Sequence, residues 1–237
     1  MSLDPKPAEA IRLAPSDLTF LFDECERCFW FKARGVLKRP SAVFPKIFTK
    51  LDGQTKDFFY GKRAEEMAEG VRPGRVAFGD RWVRSRPLEV PGHETKVQLA
   101  GIIDTALALD DASFAIIDFK TSEPKPEHVT FYGRQLHSYA LAAENPAEGA
   151  LELQPVTQLG LLCVEPMAMV GLDDGVAYKG LATFMEIERD DGAFLAFLSR
   201  VLFVLENPEP PAAAPKCGYC RYLAAGSLVL LTGMSGL

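Results

Sequence analysis

Gly101-Ile-Ile-Asp104-Thr-Ala-Leu-Ala-Leu-Asp-Asp-Ala-Ser-Phe-Ala-Ile-Ile-Asp118-Phe-Lys120 reads as two apolar strands joined by a short polar turn at Asp110-Asp111-Ala112, and each strand carries an aspartate. If the strands pair about Asp111, Asp104 and Asp118 stand opposite each other. Side chains alternate along a strand, so Asp118 and Lys120 share one face while Phe119 takes the other. Two carboxylates brought together in apolar surroundings repel and lose hydration, and a divalent cation relieves both costs. Oxygen ligands of this kind suit Mg²⁺ or Mn²⁺, and an adjacent ammonium can orient a water or offset charge on a phosphate. Singly, Asp104 could begin a bend and Lys120 could end a strand in solvent. Set together behind the apolar runs Leu99-Ala-Gly-Ile-Ile103 and Phe114-Ala-Ile-Ile117, they point to a site.

Working outward, Asp17 to Arg34 reads as a helix behind Ser16, ending before Gly35. Residues 38–53 look like a connecting loop, and a second helix is expected over about Thr55 to Glu69. Short strands follow from Val76 to Leu109. After the hairpin, residues 127–144 read as a helix, Gln158 to Val164 as a buried strand and Ala193 to Leu205 as an amphipathic helix. A Pro/Ala linker, Pro208 to Pro215, leads into Lys216-Cys217-Gly-Tyr-Cys220-Arg-Tyr222, and residues 223–237 carry no reading. The chain divides on this reading into 1–53, 54–206 and 207–237.

The 237 residues are 48% hydrophobic and 24% charged, enough for one sizeable core. A net charge of -6 excludes a polycation and demands a local basic groove for any nucleic-acid contact. No apolar stretch is long enough to span a membrane, and the first ten residues lack the apolar run of a signal peptide, so a cytoplasmic location is expected.

In such a compartment Cys25-x-x-Cys28 and Cys217-x-x-Cys220 are metal ligands in preference to disulfides. Two chelating pairs sum to one four-thiolate site that would join the two ends of the chain. Zn²⁺ and an iron–sulfur cluster both fit four thiolates. Cys163, inside an apolar strand, reads as core.

Gly101-Ile-Ile-Asp104, Asp118-Phe-Lys120 and Gln135-Leu-His-Ser-Tyr139, in that order, resemble the G-x-x-D, D-x-K and Q-x-x-x-Y motifs of the RecB-like branch of the PD-(D/E)XK nuclease superfamily. The resemblance implies an α/β fold with a restriction-endonuclease-like core, a mixed central β-sheet flanked by helices, with a small four-cysteine metal-binding subdomain formed by both termini. It implies a Mg/Mn-dependent deoxyribonuclease, expected in that branch to be an exonuclease with roles in DNA repair. Asp104 and Asp118 would bind the metal, the Phe119 carbonyl would complete the coordination and Lys120 would position the attacking water. Gln135 and Tyr139 would contact the substrate backbone or steady the lysine. Members often carry a histidine ligand in an early helix; here Glu65 holds the equivalent position in Gly61-Lys-Arg-Ala-Glu65. Some relatives, CRISPR-associated exonucleases among them, hold a 4Fe-4S cluster with one N-terminal and three C-terminal cysteines. The two-and-two division here keeps zinc as the alternative.

The partner implied is DNA, single-stranded DNA included, with a helicase or a CRISPR adaptation protein as protein partner. Arg27, Lys32, Arg34, Lys38, Arg39 and Lys46, with Lys125 and Arg134, are the basic residues read as available for phosphate contacts. Phe29, Trp30 and Phe31 read as core rather than as a stacking platform. The rival reading is a non-catalytic nucleic-acid-binding or scaffolding module that retains the fold.

Overall fold

Alternate residues of one short strand enter two different apolar clusters, and this sets the layers of the molecule. In the computed structural model, which describes residues 10–41 and 44–232, β4 (Phe114–Lys120) sends Ala115, Ile117 and Phe119 to one side and Ile116 to the other. The first side is covered by Phe59 of α3 (Lys46–Phe59) and by Ala64, Met67 and Val71. The second is covered by α2 (Glu26–Ala33), α4 (Pro126–Glu144) and α5 (Asp191–Glu206). A sheet with apolar rows on both faces must be covered on both, and the product is the expected mixed α/β sandwich.

The sheet runs β1 (Ile11–Leu13), β3 (Val97–Leu109), β4, β5 (Val156–Leu172) and β6 (Gly175–Ile187), with β2 (Gly74–Arg84) also paired to β3. β3 and β4 are antiparallel with Thr105 opposite Ile117, the register that sets Asp104 and Asp118 at the next step. The turn between them is tight, with Ala112 at φ 64° and the Asp111 carboxylate accepting the Ser113 N–H at 3.1 Å. β4 continues through α4 into β5 as a parallel pair. Pro126 at the first turn suits the start of α4. Asp190 caps α5 by accepting the Ala193 N–H at 2.8 Å.

The edges of β3 carry the feature that matters most. Val97 pairs with Leu88 and also with Ile11 of β1, and a residue pairs once on each edge. Since β2 and the Leu88 segment take one edge, β1 shares the other with β4. β1 pairs Val97–Leu99 and β4 pairs Thr105–Ala108. Between them, Ala100–Asp104 faces no strand on that edge among the described residues, and the sheet is notched there.

Several expectations change. The first helix is broken: a π-helical stretch (Asp17–Leu21) runs into α1 (Phe22–Glu24), and Cys25, at φ -166° and ψ 103°, separates it from α2. The expected loop over 38–53 contains the first half of α3, and that helix ends at Phe59 rather than Glu69. A helix tolerates Gly53 at a cost of about 1 kcal/mol, whereas Gly61 at φ +74° turns the chain out of the helical path. β1 and β6 are additional strands. The outer half of the β5–β6 ribbon is exposed on both faces, which leaves no alternation to read. α6 (Gly218–Thr232) takes in Cys220 and runs on through 223–232, the described part of the segment 223–237 that carried no reading. The sequence before Ala10 and after Thr232 lies outside the described residues.

Candidate active site

At the notch, Asp118 is 3% exposed and stands in the row of β4 that faces α4. Gln135 Nε2 donates to Asp118 Oδ1 at 3.2 Å and to the Tyr139 hydroxyl at 3.1 Å. Lys120 Nζ pairs with Asp118 Oδ2 and lies 4.1 Å from the centroid of the Tyr132 ring. Tyr132, Gln135 and Tyr139 recur at i, i+3 and i+7, so one stripe of α4 presents all three to the strand. Burial pushes the Asp118 carboxyl up from its ordinary range, Lys120 opposes this, and Asp104 adds to it. Burial also raises the Tyr139 phenol, which stays a neutral donor or acceptor.

Asp104 reaches the group from β3. Its Oδ2 accepts the Phe119 N–H at 3.4 Å, bridging the strands where ladder pairing has stopped. Its Oδ1 accepts from Lys56 Nζ of α3 at 3.2 Å. The same ammonium touches Asp80 at 2.8 Å and Asp52 at 2.9 Å. Burial acts to lower the Lys56 pKa, but these three carboxylates outweigh it and hold the ammonium charged above the usual lysine range.

Gly101 is the wall of the notch. A Cβ there would lie 2.9 Å from Pro15 Cδ and 3.0 Å from Tyr139 Cε1, so any side chain would push α4 and the segment after β1 apart. The glycine three residues before Asp104 is thus required by packing at the site.

A profile of the PD-(D/E)XK nuclease superfamily matches residues 31–225. The chain belongs to the PD-(D/E)XK nuclease superfamily. Among solved structures, one described as "Crystal structure of SSO0001" is similar at 16% identity and a TM-score of 0.48, covering 90% of this chain and 84% of that one. No curated protein matches the sequence.

PD-(D/E)XK nucleases generally use divalent metals, and the residues present fit one. Asp104 and Asp118 offer carboxylate oxygens suited to a hard cation. Gln135 Oε1 is buried beside them without a hydrogen-bond donor among the described residues, an acceptor that a cation's water could satisfy. Glu65 does not join them. Its Oε1 accepts from Arg63 Nε at 3.0 Å and its Oε2 from the Gly74 N–H at 3.4 Å. Gly74 pairs with Leu109, so Glu65 sits five residues further along β3 than Asp104, about 17 Å at the rise of a strand. The turn at Gly61 carries it there.

The four cysteines Cys25, Cys28, Cys217 and Cys220 converge with all sulfurs within 4.8 Å of one another, so they could hold a metal. Sγ separations are 3.8 Å for Cys25 and Cys220, 3.7 Å for Cys28 and Cys217, and 3.5 Å for Cys28 and Cys220. Arg39 Nη2 donates to Cys217 Sγ at 3.2 Å, a cation placed to favour thiolate. Burial acts to raise the Cys25 thiol, yet backbone hydrogen bonds at Ala214 and Cys28 bring it down to about 7.

The basic residues read from the sequence are largely engaged inside the molecule. Lys32 pairs with Asp17, Arg34 donates to the Leu205 carbonyl at 3.0 Å, Arg39 serves the cysteines and Arg134 pairs with Asp23 at 2.7 Å. Phe29 and Trp30 are core as expected, and so is Cys163. His137 bonds the Gly133 carbonyl and the Asp190 N–H at the joint of α4 and α5, away from any groove. Sequence reading missed Tyr132, Lys56 and Asp80. Tyr132 was legible as a third member of the Gln135/Tyr139 stripe; the other two depend on how α3 meets β2.

Proposed function

We propose that this chain is a Mg²⁺- or Mn²⁺-dependent deoxyribonuclease that hydrolyses phosphodiester bonds. The observation that carries the reading is the convergence of Asp104, Asp118 and Lys120 at the notch, with Gln135 and Tyr139 behind them. A bound divalent cation supplies charge neutralisation for the phosphate oxygens and a more acidic water. Asp104 and Asp118 hold it. The carbonyl of Phe119 is a third oxygen for it, because N–H and C=O of one strand residue point to the same edge and the Phe119 N–H meets Asp104. Lys120, positioned by Asp118 and by the face of Tyr132, orients the attacking water and offsets charge developing on phosphorus-bound oxygen. Gln135 fixes the Asp118 rotamer through its hydrogen bond and is itself fixed by Tyr139. The order of the three motifs supports the RecB-like assignment and with it exonucleolytic action beside a helicase or a CRISPR adaptation partner. The segments 1–53, 54–206 and 207–237 belong to the same reading, the first and last meeting at the cysteines.

At the cysteines we favour a single zinc ion over the 4Fe-4S cluster. Four thiolates around one tetrahedral ion at about 2.3 Å lie roughly 3.8 Å from one another; three sulfur pairs here are 3.5 to 3.8 Å apart and all four sulfurs lie within 4.8 Å. In a cubane each thiolate binds a different corner, which spreads the sulfurs well beyond contact.

Cleavage of single- and double-stranded DNA with Mg²⁺, Mn²⁺ or EDTA tests the nuclease reading. Metal-dependent products are expected, and they should vanish in Asp104→Asn and Lys120→Ala while fold and cysteine-bound metal persist. Full activity in both variants, or binding without products under every metal, overturns it.

A further inference from the structure

A cavity of about 720 Å³ opens beside Asp80 on the β2 side of the sheet. Its charged and aromatic lining is Arg12 of β1 with Phe78, Asp80, Arg81, Trp82 and Arg84 of β2. Trp82 and Arg84 alternate with the buried Val83, and Trp82 is 59% exposed although it belongs to the largest apolar side-chain type. Its cross-strand partner Ile102 is also exposed. The Arg12 guanidinium lies 5.8 Å from the centroid of the Trp82 ring. None of Arg12, Arg81 or Arg84 forms an ion pair among the described residues. In a chain of net charge -6, three guanidiniums without ion pairs lining one cavity that also holds an open indole are a local reversal of sign.

The cavity is joined to the notch through one residue. Asp80 lines the cavity and also accepts from Lys56, whose ammonium touches Asp104. Arg12, Arg84 and Arg81 stand beside Gln98, Ala100 and Ile103 of β3, so a polyanion lying along them in that order runs toward Asp104. The indole adds a second requirement. In a duplex each interior base already has both faces covered by its neighbours, so away from a duplex end only an unpaired base can stack on Trp82.

We propose that this groove holds a single strand of nucleic acid leading to the scissile bond, with one unpaired base on Trp82 and the flanking phosphates on Arg12, Arg81 and Arg84. The proposal rests on the nuclease reading above and gives that site its substrate class. Backbone contacts and stacking carry little sequence information, so the strand is held irrespective of its sequence.

The two tryptophans make the test direct. Trp30 is buried with its Nε1 donating to the Asn207 carbonyl at 3.0 Å, so a fluorescence change on adding an oligonucleotide reports on Trp82. Oligodeoxyuridylate, oligouridylate and a covalently closed duplex without ends are titrated in EDTA, where nothing is cleaved. Quenching by the single strands and not by the duplex is expected, and the better of the two single strands identifies the sugar. Followed by anisotropy of a labelled strand, Trp82→Ala should weaken binding about five- to hundredfold, the range for loss of one base–aromatic stack, and Trp82→Phe should recover most of it. Arg84→Ala should lower the slope of log affinity against log salt by about one. Equal quenching by duplex and single strand, or unchanged affinity in Trp82→Ala, overturns the proposal whatever the cleavage assay shows. Quenching that persists in a protein giving no products under any metal overturns the catalytic reading alone.

Discussion

Lys56 Nζ lies 3.2 Å from Asp104 Oδ1, so an ammonium of α3 rests on a carboxylate that faces the notch. It is shared with Asp52 and Asp80, and one charge serves three acids. A divalent ion binding Asp104 competes with this ammonium for the same oxygen. Lys56→Met should lower the metal concentration that gives half-maximal cleavage several-fold, read from a Mg²⁺ titration at saturating substrate. A rise in that concentration would mean that Lys56 serves instead to aim Asp104.

The buried Asp118 carboxyl ties stability to pH. Burial pushes its pKa from an ordinary 3.8 up to about 7. The unfolded chain thus holds the proton less tightly than the native one. Whatever stability comes from keeping Asp118 neutral is complete below the ordinary aspartate range and is lost as pH rises toward 7. In EDTA, melting temperature should fall over this window by more in the wild type than in Asp118→Asn. Added Mg²⁺ should raise the wild-type melting temperature more at neutral than at acid pH, because only the ionised pair binds it. Parallel pH curves for the two proteins in EDTA would show that Asp118 is ionised throughout.

Gly101→Ala inserts a methyl against Pro15 and Tyr139 at contacts of 2.9 and 3.0 Å. A loss of about 1–3 kcal/mol is expected from overpacking. The strain falls on Tyr139, and through it on the hydrogen bond that holds Gln135 to Asp118, so turnover should drop more than substrate affinity. Denaturant unfolding and steady-state cleavage together separate the two effects.

Removing Cys28, whose sulfur meets those of Cys217 and Cys220, should abolish the metal site. Cys28→Ser purified without oxygen should lose its bound metal and unfold at lower denaturant than the parent. The parent should be colourless with about one zinc per chain by elemental analysis. A brown protein with iron and acid-labile sulfide would establish the cluster instead.

What could be read in advance follows from how local each signal was. The hairpin was legible because its two strands are adjacent in sequence and joined by a tight turn, so counting from Asp111 gave the register that Thr105 and Ile117 display. The stripe of Gln135 and Tyr139 was legible from helical spacing alone. Glu65 was misplaced because an assumed helix over 55–69 was carried through Gly61, where the backbone turns away. The charge relay of Lys56 and Asp80 was invisible, since it needs a side chain of α3 brought against one of β2 across 24 positions of sequence. Arg12 and Arg84 were passed over for a related reason. They lie far apart in sequence and are brought to one cavity by strands that pair with β3 at neighbouring positions. The basic residues chosen instead were clustered in sequence, and most proved to be spent on internal partners.

The thiol pairing across 189 to 195 positions has a consequence for biosynthesis. Cys25 and Cys28 leave the ribosome first, and their partners follow about 10–40 s later at ordinary elongation rates. The β2–β5 portion of the sheet can assemble in that interval, because it requires neither pair. The N-terminal segment, which supplies β1 and the Pro15 side of the notch, packs through Leu13, Phe22 and Phe29 and gains its thiolate tether only once the second cysteine pair emerges. A translating ribosome stalled before Cys217 would therefore carry a folded sheet whose N-terminal wall is held by packing alone, and the thiolate staple would close only after Cys220 has emerged.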